Sequence, residues 1–147
     1  MSTRFFDTNV ILPAFHPAHA NHPKAVALLA QAGLARERPH ISVNVLGELY
    51  AGFTRALVKG GRPLLKPKEA LEVVVADVAP AFTVHDVTRA DWERLVVAKR
   101  RFPQISLWDG LLWACAKAAA CTEILTEDPP GGLAELEGVR FVNPFAP

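Results

Sequence analysis

Residues 4–9 have the sequence Arg-Phe-Phe-Asp-Thr-Asn, and this stretch decides which fold we expect. The run from Arg4 to Phe6 is short and mostly apolar, which predicts a strand. Asp7, Thr8 and Asn9 favour turns and helix caps, so the strand should pass directly into a helix. Asp7 then lies at the carboxyl end of a strand, where the ligand sites of open α/β sheets usually form.

The rest of the chain alternates between helices and short strands in the same way. Apolar residues recur at helical spacing in some segments, and short apolar runs lie between turn signals in others. The predicted helices are residues 23–34, 44–59, 68–78, 88–101 and 106–120, and the later strands are 40–43, 82–85, 123–126 and 139–142. This alternation predicts an α/β fold with a mainly parallel central sheet covered by helices on both faces.

Size and composition suit one globular domain spanning residues 1–147. Half of the residues are hydrophobic and 21% are charged, as in ordinary packed proteins. The net charge of +1 means that nucleic-acid binding would depend on local basic patches. We expect reduced thiols at Cys115 and Cys121, because their spacing suits neither a zinc site nor a redox motif.

The location predicted from the sequence is cytoplasmic, with no membrane span. Lys117 and Asp77 interrupt the two richest apolar runs, and neither run reaches the roughly 20 residues that a span requires. The first six residues lack the apolar core of a secretory signal.

Four acidic residues follow predicted strands or lie near the start of helices: Asp7, Glu48, Asp109 and Asp128. Each has an ordinary structural explanation. Asp7 would serve as a helix cap, Asp109 as the second half of a capping box with Ser106, Asp128 as a turn former, and Glu48 as a surface helix residue.

The surroundings of Glu48 and Asp109 favour a metal site over these explanations. Both lie among apolar residues on helices that we expect to be buried. A buried carboxylate is costly unless it is paired or coordinates a cation. No basic residue lies between Ile41 and Thr54, or between Pro103 and Ala116, so a metal ion would supply the missing charge.

Four motifs in order resemble those of PIN domains: residues 6–9, 42–49, 106–109 and 125–128. The closing stretch 138–145, Gly-Val-Arg-Phe-Val-Asn-Pro-Phe, resembles the last strand of VapC-type toxins from toxin–antitoxin pairs. The resemblance covers nearly the whole chain and implies a PIN-like three-layer α/β/α fold.

The resemblance also implies a function, that of a metal-dependent endoribonuclease toxin. Asp7, Glu48, Asp109 and Asp128 would bind Mg²⁺ or Mn²⁺, with Asn9 and Thr126 in support. Hard cations of this kind prefer oxygen ligands and activate water for phosphodiester hydrolysis. The partners implied are an RNA substrate, with transfer RNA the leading target class, and a small separate antitoxin whose C-terminal segment would occupy the acidic groove. A homodimer is also expected.

The sequence leaves two alternatives open, one for the fourth acidic residue and one for the function. Glu127 adjoins Asp128 and competes with it for the fourth acidic position, although we favour Asp128. A PIN-like or receiver-like acidic Mg²⁺-binding module without nuclease activity is the competing function. The receiver fold expects a lysine after its last strand, and none follows Phe141. A haloacid-dehalogenase-type phosphatase expects Asp where Asn9 stands.

Other candidate sites are weaker. His16, His19 and His22 are evenly spaced, but Pro17 and Pro23 disfavour one continuous helix through them. His40 and His85 lie in separate predicted strands, where packing or surface roles are expected. Local positive charge for an RNA backbone is offered by Lys99, Arg100, Arg101, Arg55, Lys59, Arg62, Lys66 and Lys68.

Overall fold

The computed structural model describes residues 3–56 and 59–147, and within them six strands form one sheet. The strands are β1 (Arg4–Phe6), β2 (His40–Ser42), β3 (Thr83–His85), β4 (Glu123–Leu125), β5 (Glu135–Leu136) and β6 (Val139–Val142). Their order is β3-β2-β1-β4-β6-β5. Every pairing is parallel except that of β5 with β6, so the predicted mainly parallel sheet is confirmed.

Six α-helices of the described residues connect these strands. They are α1 (Thr8–Ile11), α2 (His22–Leu34), α3 (Val43–Thr54), α4 (Pro67–Glu72), α5 (Arg89–Arg101) and α6 (Leu107–Ala118). Short 3₁₀ segments occupy Leu12–Phe15, Ala79–Ala81 and Pro130–Gly132. None of the helices in residues 3–56 and 59–147 has the length and apolar character of a membrane span.

The two phenylalanines of β1 divide the core into two layers. Successive residues of a strand point to opposite faces of the sheet. Phe6 packs in a cluster with α1, α3 and α4 residues such as Val10 and Leu49. Phe5 packs on the other face with α6 residues such as Trp113. The result is the expected three-layer α/β/α arrangement.

Strand β1 is the point where the order of the sheet reverses. The chain leaves β1 to form β2 on one side and later returns to form β4 on the other. Parallel strands end at the same edge of the sheet, so the residues that follow β1, β2 and β4 gather there. This edge carries the candidate site.

Two helices depart from the sequence prediction. Helix α3 ends at Thr54 instead of Lys59, because Arg55 is extended (φ −86°, ψ 138°) and Ala56 forms an antiparallel bridge with Pro63. The last part of the predicted helix, Leu57 and Val58, lies outside the described residues.

The helix predicted over residues 68–78 is regular only as far as Glu72. It continues as a π-helical segment, Val73–Val78, before the 3₁₀ turn that contains Pro80. The run of β-branched valines lowers helix propensity, and Pro80 cannot donate a backbone hydrogen bond.

Strand β5 was not predicted. It forms a hairpin with β6 through Glu137 and Gly138, which both have positive φ (48° and 82°). Two positive φ angles are typical of a type I′ turn, whose twist matches that of the flanking strands. The Glu-Gly pair was the available sequence signal.

Gly110 sets the close approach of α6 to α5. A Cβ atom added to Gly110 would lie 2.1 Å from Cδ1 of Leu95 and 3.5 Å from Cγ2 of Ile105. Leu95 is itself buried, so its side chain has little space into which to move.

We therefore expect Gly110→Ala to lower the free energy of unfolding by about 1–2 kcal/mol, since overpacking outweighs the gain in helix propensity. Gly47→Ala is the matched control, because Gly47 is exposed in α3 and a Cβ added there would meet no atom within 4 Å. That change should stabilise the fold by about 0.5–1 kcal/mol. Urea denaturation measures both, and equal effects would contradict the packing argument.

Candidate metal and catalytic site

Asp7 follows β1 directly and caps helix α1. Its Oδ1 atom accepts a hydrogen bond from the backbone N–H of Thr8 at 2.7 Å. Its Oδ2 atom accepts one from the hydroxyl of Thr126 at 2.8 Å. The helix-cap role and the predicted site role therefore coexist in one side chain, because each carboxylate oxygen retains further acceptor capacity.

Thr126 and Asn9 form the support beneath Asp7. Thr126 follows β4 and is only 1% exposed. Its hydroxyl also accepts a hydrogen bond from Nδ2 of Asn9 at 3.1 Å, while Oδ1 of Asn9 accepts from the backbone N–H of Glu127 at 3.1 Å. Asn9 thus acts on Asp7 through Thr126 and fixes the loop after β4 to helix α1.

Glu48 is linked to this group through Thr8, a residue for which the sequence predicted no role. The hydroxyl of Thr8 donates to Oε2 of Glu48 at 3.1 Å, while the backbone N–H of Thr8 binds Asp7. A single residue therefore connects the carboxylate that follows β1 with the carboxylate of α3. Its position immediately after Asp7 was the only signal in the sequence.

Asp109 lies in the first turn of α6, three residues after the N-cap Ser106. The Ser106 hydroxyl accepts the N–H of Asp109 at 3.1 Å. The reciprocal bond of a capping box, from the Ser106 amide to the Asp109 carboxylate, is absent among the hydrogen bonds of the described residues. The carboxylate of Asp109 therefore accepts no hydrogen bond from the helix cap and remains available to a ligand.

The pKa of Asp7 responds to the charges of two other predicted site residues, Glu48 and Asp109. Burial raises the pKa of Asp7 from 3.8 to about 6, against the opposing hydrogen bonds from Thr126 and Thr8. The negative charges of Glu48 and Asp109 raise this pKa further. Burial also raises the pKa of Glu48, with Asp109 adding to the effect. These shifts are those expected of neighbouring carboxylates in partly desolvated surroundings.

The burial of the site differs from the sequence prediction in one respect. Glu48 is exposed and Asp109 is half-buried, although both were expected inside apolar helices. Val45 and Leu49 do face the core, but Glu48 lies on the other side of α3. Asp7 is also half-buried, because it sits between the sheet and the start of α1, and its loss of hydration is the largest cause of its raised pKa.

No salt bridge within residues 3–56 and 59–147 neutralises Asp7, Glu48 or Asp109. The described part of the chain also shows no three His, Cys, Asp or Glu side chains close enough to enclose one metal ion. Mg²⁺ usually keeps several waters and binds through one or two carboxylates, so an enclosed cage is not required. The uncompensated oxygen ligands fit such a hydrated cation.

Asp128, the predicted fourth acidic residue, has fewer hydrogen bonds to the rest of the site. Asp128 is exposed, and its backbone N–H donates to the Thr126 hydroxyl at 3.2 Å. Its neighbour Glu127 accepts a hydrogen bond at 2.5 Å from Nδ2 of Asn21. The side chain of Glu127 is therefore engaged with the loop before α2, whereas that of Asp128 has no hydrogen-bond partner among the described residues.

The histidines do not form a metal site among the described residues. Nδ1 of His22 lies 2.8 Å from the carbonyl of Pro13, and Nδ1 of His19 accepts the N–H of Asn21 at 3.0 Å. Helix α2 begins only at His22, as the prolines predicted.

His40 and His85, distant in sequence, form a stacked pair with ring nitrogens 2.6 Å apart. Burial lowers the pKa of His40, and the nearby His85 lowers it further.

The basic run at the end of α5 has a partly structural role. Lys99 donates to the carbonyls of Pro103 and Ile105 at 3.1 and 2.6 Å. The guanidinium of Arg101 lies over the ring of Phe102 at 5.3 Å. These contacts hold the turn between α5 and α6, the helix that carries Asp109.

Several solved structures share this fold. VapC20 of Mycobacterium tuberculosis, a sarcin-ricin loop cleaving toxin, has a TM-score of 0.68 and 19% identity, and the match covers 94% of this chain and 99% of that chain. FitAcB of Neisseria gonorrhoeae has a TM-score of 0.68 and 21% identity, covering 97% and 98%. A toxin–antitoxin complex from Klebsiella pneumoniae has a TM-score of 0.67 and 18% identity, covering 97% and 98%.

No curated protein matches this chain closely in sequence. The family model of the PIN domain, in contrast, matches residues 4–130, which hold Asp7, Glu48, Asp109 and Asp128. The resemblance predicted from four short motifs is thereby confirmed. With most of its length matched, the chain belongs to the PIN-domain family.

Proposed function

We propose that this protein is an endoribonuclease toxin, a single PIN domain over residues 1–147, that depends on Mg²⁺ or Mn²⁺ and is neutralised by a separate antitoxin. One observation carries the proposal. Asp7 is half-buried at the carboxyl end of the central strand β1, its pKa is raised to about 6, and Glu48 and Asp109 add negative charge that no salt bridge among the described residues balances. Such perturbed carboxylates at the switch point of an α/β sheet are typical of functional sites.

The chain's own residues have distinct tasks in this proposal. Asp7, Glu48 and Asp109 would hold the hydrated cation, in part through its water molecules, with Asp128 as the fourth acidic residue. When bound, the cation would supply positive charge for the scissile phosphate and lower the pKa of water. Thr126 and Thr8 hold Asp7 by hydrogen bonds, so its carboxylate is already oriented before substrate arrives.

The similar structures support the class of substrate and of partner. VapC20 of Mycobacterium tuberculosis is a sarcin-ricin loop cleaving toxin, and the structure from Klebsiella pneumoniae is a toxin–antitoxin complex. RNA as substrate and a small antitoxin as partner follow from this likeness. The competing function is an acidic cation-binding module without nuclease activity.

Substitutions in the acidic group separate the two functions. We expect Asp7→Asn, Glu48→Gln and Asp109→Asn each to lower RNA cleavage by about 100-fold or more, because each removes ligand charge while leaving the fold intact. Glu93→Gln is the matched control: Glu93 is exposed in α5, paired with Arg89, and should leave cleavage unchanged.

A labelled RNA and gel analysis measure these rates, and circular dichroism checks the fold. Asp128→Asn should impair cleavage more than Glu127→Gln, and the reverse order would assign the fourth position to Glu127. If the wild type binds the cation but cleaves no RNA, the non-catalytic module is the correct function.

Asp7→Asn should also change stability in a way that depends on pH and metal. Because the folded pKa of Asp7 lies above its ordinary value of 3.8, the folded protein binds this proton more tightly than the unfolded chain. Stability is therefore lost as the pH rises from about 4 to about 6 and is not regained above it. Without metal at neutral pH, Asp7→Asn should be more stable than the wild type by about 1–2 kcal/mol.

Mg²⁺ or Mn²⁺ should reverse this order, since a ligand that binds only the folded state stabilises it. The melting temperature of the wild type and of Glu93→Gln should rise with metal, whereas that of Asp7→Asn should rise much less. A thermal-shift titration at several pH values measures both effects. Equal responses of all three proteins would place the metal elsewhere.

The ends of the RNA products should identify water as the nucleophile. Attack by water on phosphorus, with the 3′ oxygen leaving, produces a 5′-phosphate and a 3′-hydroxyl. Ribonucleases that use histidine as a base instead form a 2′,3′-cyclic phosphate through the 2′-hydroxyl. No His or Lys side chain is hydrogen-bonded to Asp7, Glu48 or Asp109 in the described part of the chain. Mass spectrometry of the cleaved RNA distinguishes the two, and a cyclic phosphate would overturn the mechanism.

A further inference from the structure

A groove of about 440 Å³ opens beside the acidic site, between the first half of α3 and the start of α6. Its lining residues are Val43, Asn44, Gly47, Glu48, Ala51 and Trp108. The groove therefore includes one of the candidate catalytic carboxylates in its wall. Its volume falls within the range of small-ligand sites, about 300–1,000 Å³.

The most unusual residue of this groove is Trp108. Its side chain is 62% exposed, whereas Trp113, on the next turn of the same helix, is 1% exposed and donates its N–H to the Leu136 carbonyl. A large aromatic surface left in water is unfavourable and commonly marks a binding site. Trp108 also directly precedes Asp109, so the ring and the carboxylate occupy adjacent positions in the first turn of α6.

We propose that Trp108 is a base-stacking residue, whose indole ring binds a nucleobase of single-stranded RNA next to the phosphate held at the acidic site. This inference rests on the proposed ribonuclease function and adds a substrate-binding residue to it. Aromatic side chains stack on any base, because every base has a π-face. The amide of Asn44 in the same groove offers a donor and an acceptor for the edge of that base.

The shape of the groove favours a small planar group. Gly47 and Ala51 lie one turn apart on the exposed side of α3, and no atom lies within 4 Å of the position of a Cβ on Gly47. The α3 side of the groove therefore carries little side-chain volume at Gly47 and Ala51, which leaves space beside Trp108. Arg55, the C-cap residue of α3, is exposed and adds positive charge at the end of the helix that lines the groove.

The charge of the groove argues for RNA over a second copy of the chain. A protein surface seated on Trp108 would also cover Glu48, a carboxylate with no salt-bridge partner among the described residues. Burial of this carboxylate in a protein interface is costly unless the partner supplies a cationic side chain that pairs with it. RNA bound with a cation leaves Glu48 next to positive charge, so the same position becomes favourable.

The test compares Trp108→Ala and Trp108→Phe with Trp92→Ala as the matched control, since Trp92 is 46% exposed on α5 and lies outside the groove. Short single-stranded RNA is bound to each variant in an Asp7→Asn background, where it is not cleaved, and fluorescence anisotropy gives the Kd. Trp108→Ala should weaken binding by about 5- to 100-fold. Trp108→Phe should retain most of the affinity, and Trp92→Ala should retain all of it.

RNA that lacks single bases identifies a direct contact. At one position near the scissile phosphate, loss of the base should weaken binding to the parent protein but not further weaken binding to Trp108→Ala, because both changes remove the same stack. In the cleavage-competent protein, Trp108→Ala should raise KM. The rise in melting temperature with Mn²⁺ should stay as in the wild type, which shows that Asp109 is undisturbed.

Three results would overturn the inference: unchanged RNA affinity of Trp108→Ala, additive losses at every abasic position, or a shift from dimer to monomer in sedimentation velocity that accounts for the loss of affinity. The last result would assign the groove to a second copy of the chain. If the wild type cleaves no RNA but binding still depends on Trp108 and one base, the proposed function fails and the stacking role stands.

Discussion

The hydrogen bond from the Thr126 hydroxyl to the Asp7 carboxylate joins the two central strands at the edge where the site forms. It depends on the pairing of β1 with β4, which places Phe6 opposite Leu125. The backbone N–H of Asp7 donates to the Leu125 carbonyl, and that of Thr126 donates to the Val142 carbonyl. The position of one carboxylate is therefore fixed by three neighbouring strands, and a shift of register by one residue would turn Thr126 to the other face.

Two buried carboxylates, Glu123 and Asp91, have different partners from the half-buried Asp7. Glu123 forms ion pairs with Arg4 and Arg140, and Asp91 pairs with Arg94 while it caps α5. These groups have partners that offset the cost of burial. Within residues 3–56 and 59–147, Asp7 has hydrogen-bond donors but no ion-pair partner, so its contacts orient it without neutralising it. Glu123 and Asp91 therefore stabilise the fold, whereas holding the unpaired carboxylate of Asp7 costs folding free energy. Such a cost is expected where function requires an unpaired charge.

The sequence predicted the features that depend on local chemistry. Asp7 and Ser106 cap the helices as their residue types indicate, and apolar runs mark five of the strands within one or two residues. The sequence pattern did not predict how deeply each side chain is buried or which residues distant in sequence are in contact. The apolar neighbours of Glu48 indicated a buried helix, but periodicity gives the face of a helix and not the depth of each side chain. The stacking of His40 with His85 follows from the register of β2 with β3, which no local signal specifies.

The carboxylates of the site differ in their exposure to solvent. Asp7 and Asp109 are half-buried, and Glu48 is exposed beside the open groove. Asp7 loses hydration and gains rigid hydrogen-bond donors, so its orientation is fixed by the sheet. Glu48 and Asp109 keep contact with solvent, so hydrated cations and the phosphate of a long polymer can approach from that side. An enclosed pocket would hold a metal more tightly, but it would exclude a strand of RNA, and the open arrangement of α3 and α6 avoids this conflict.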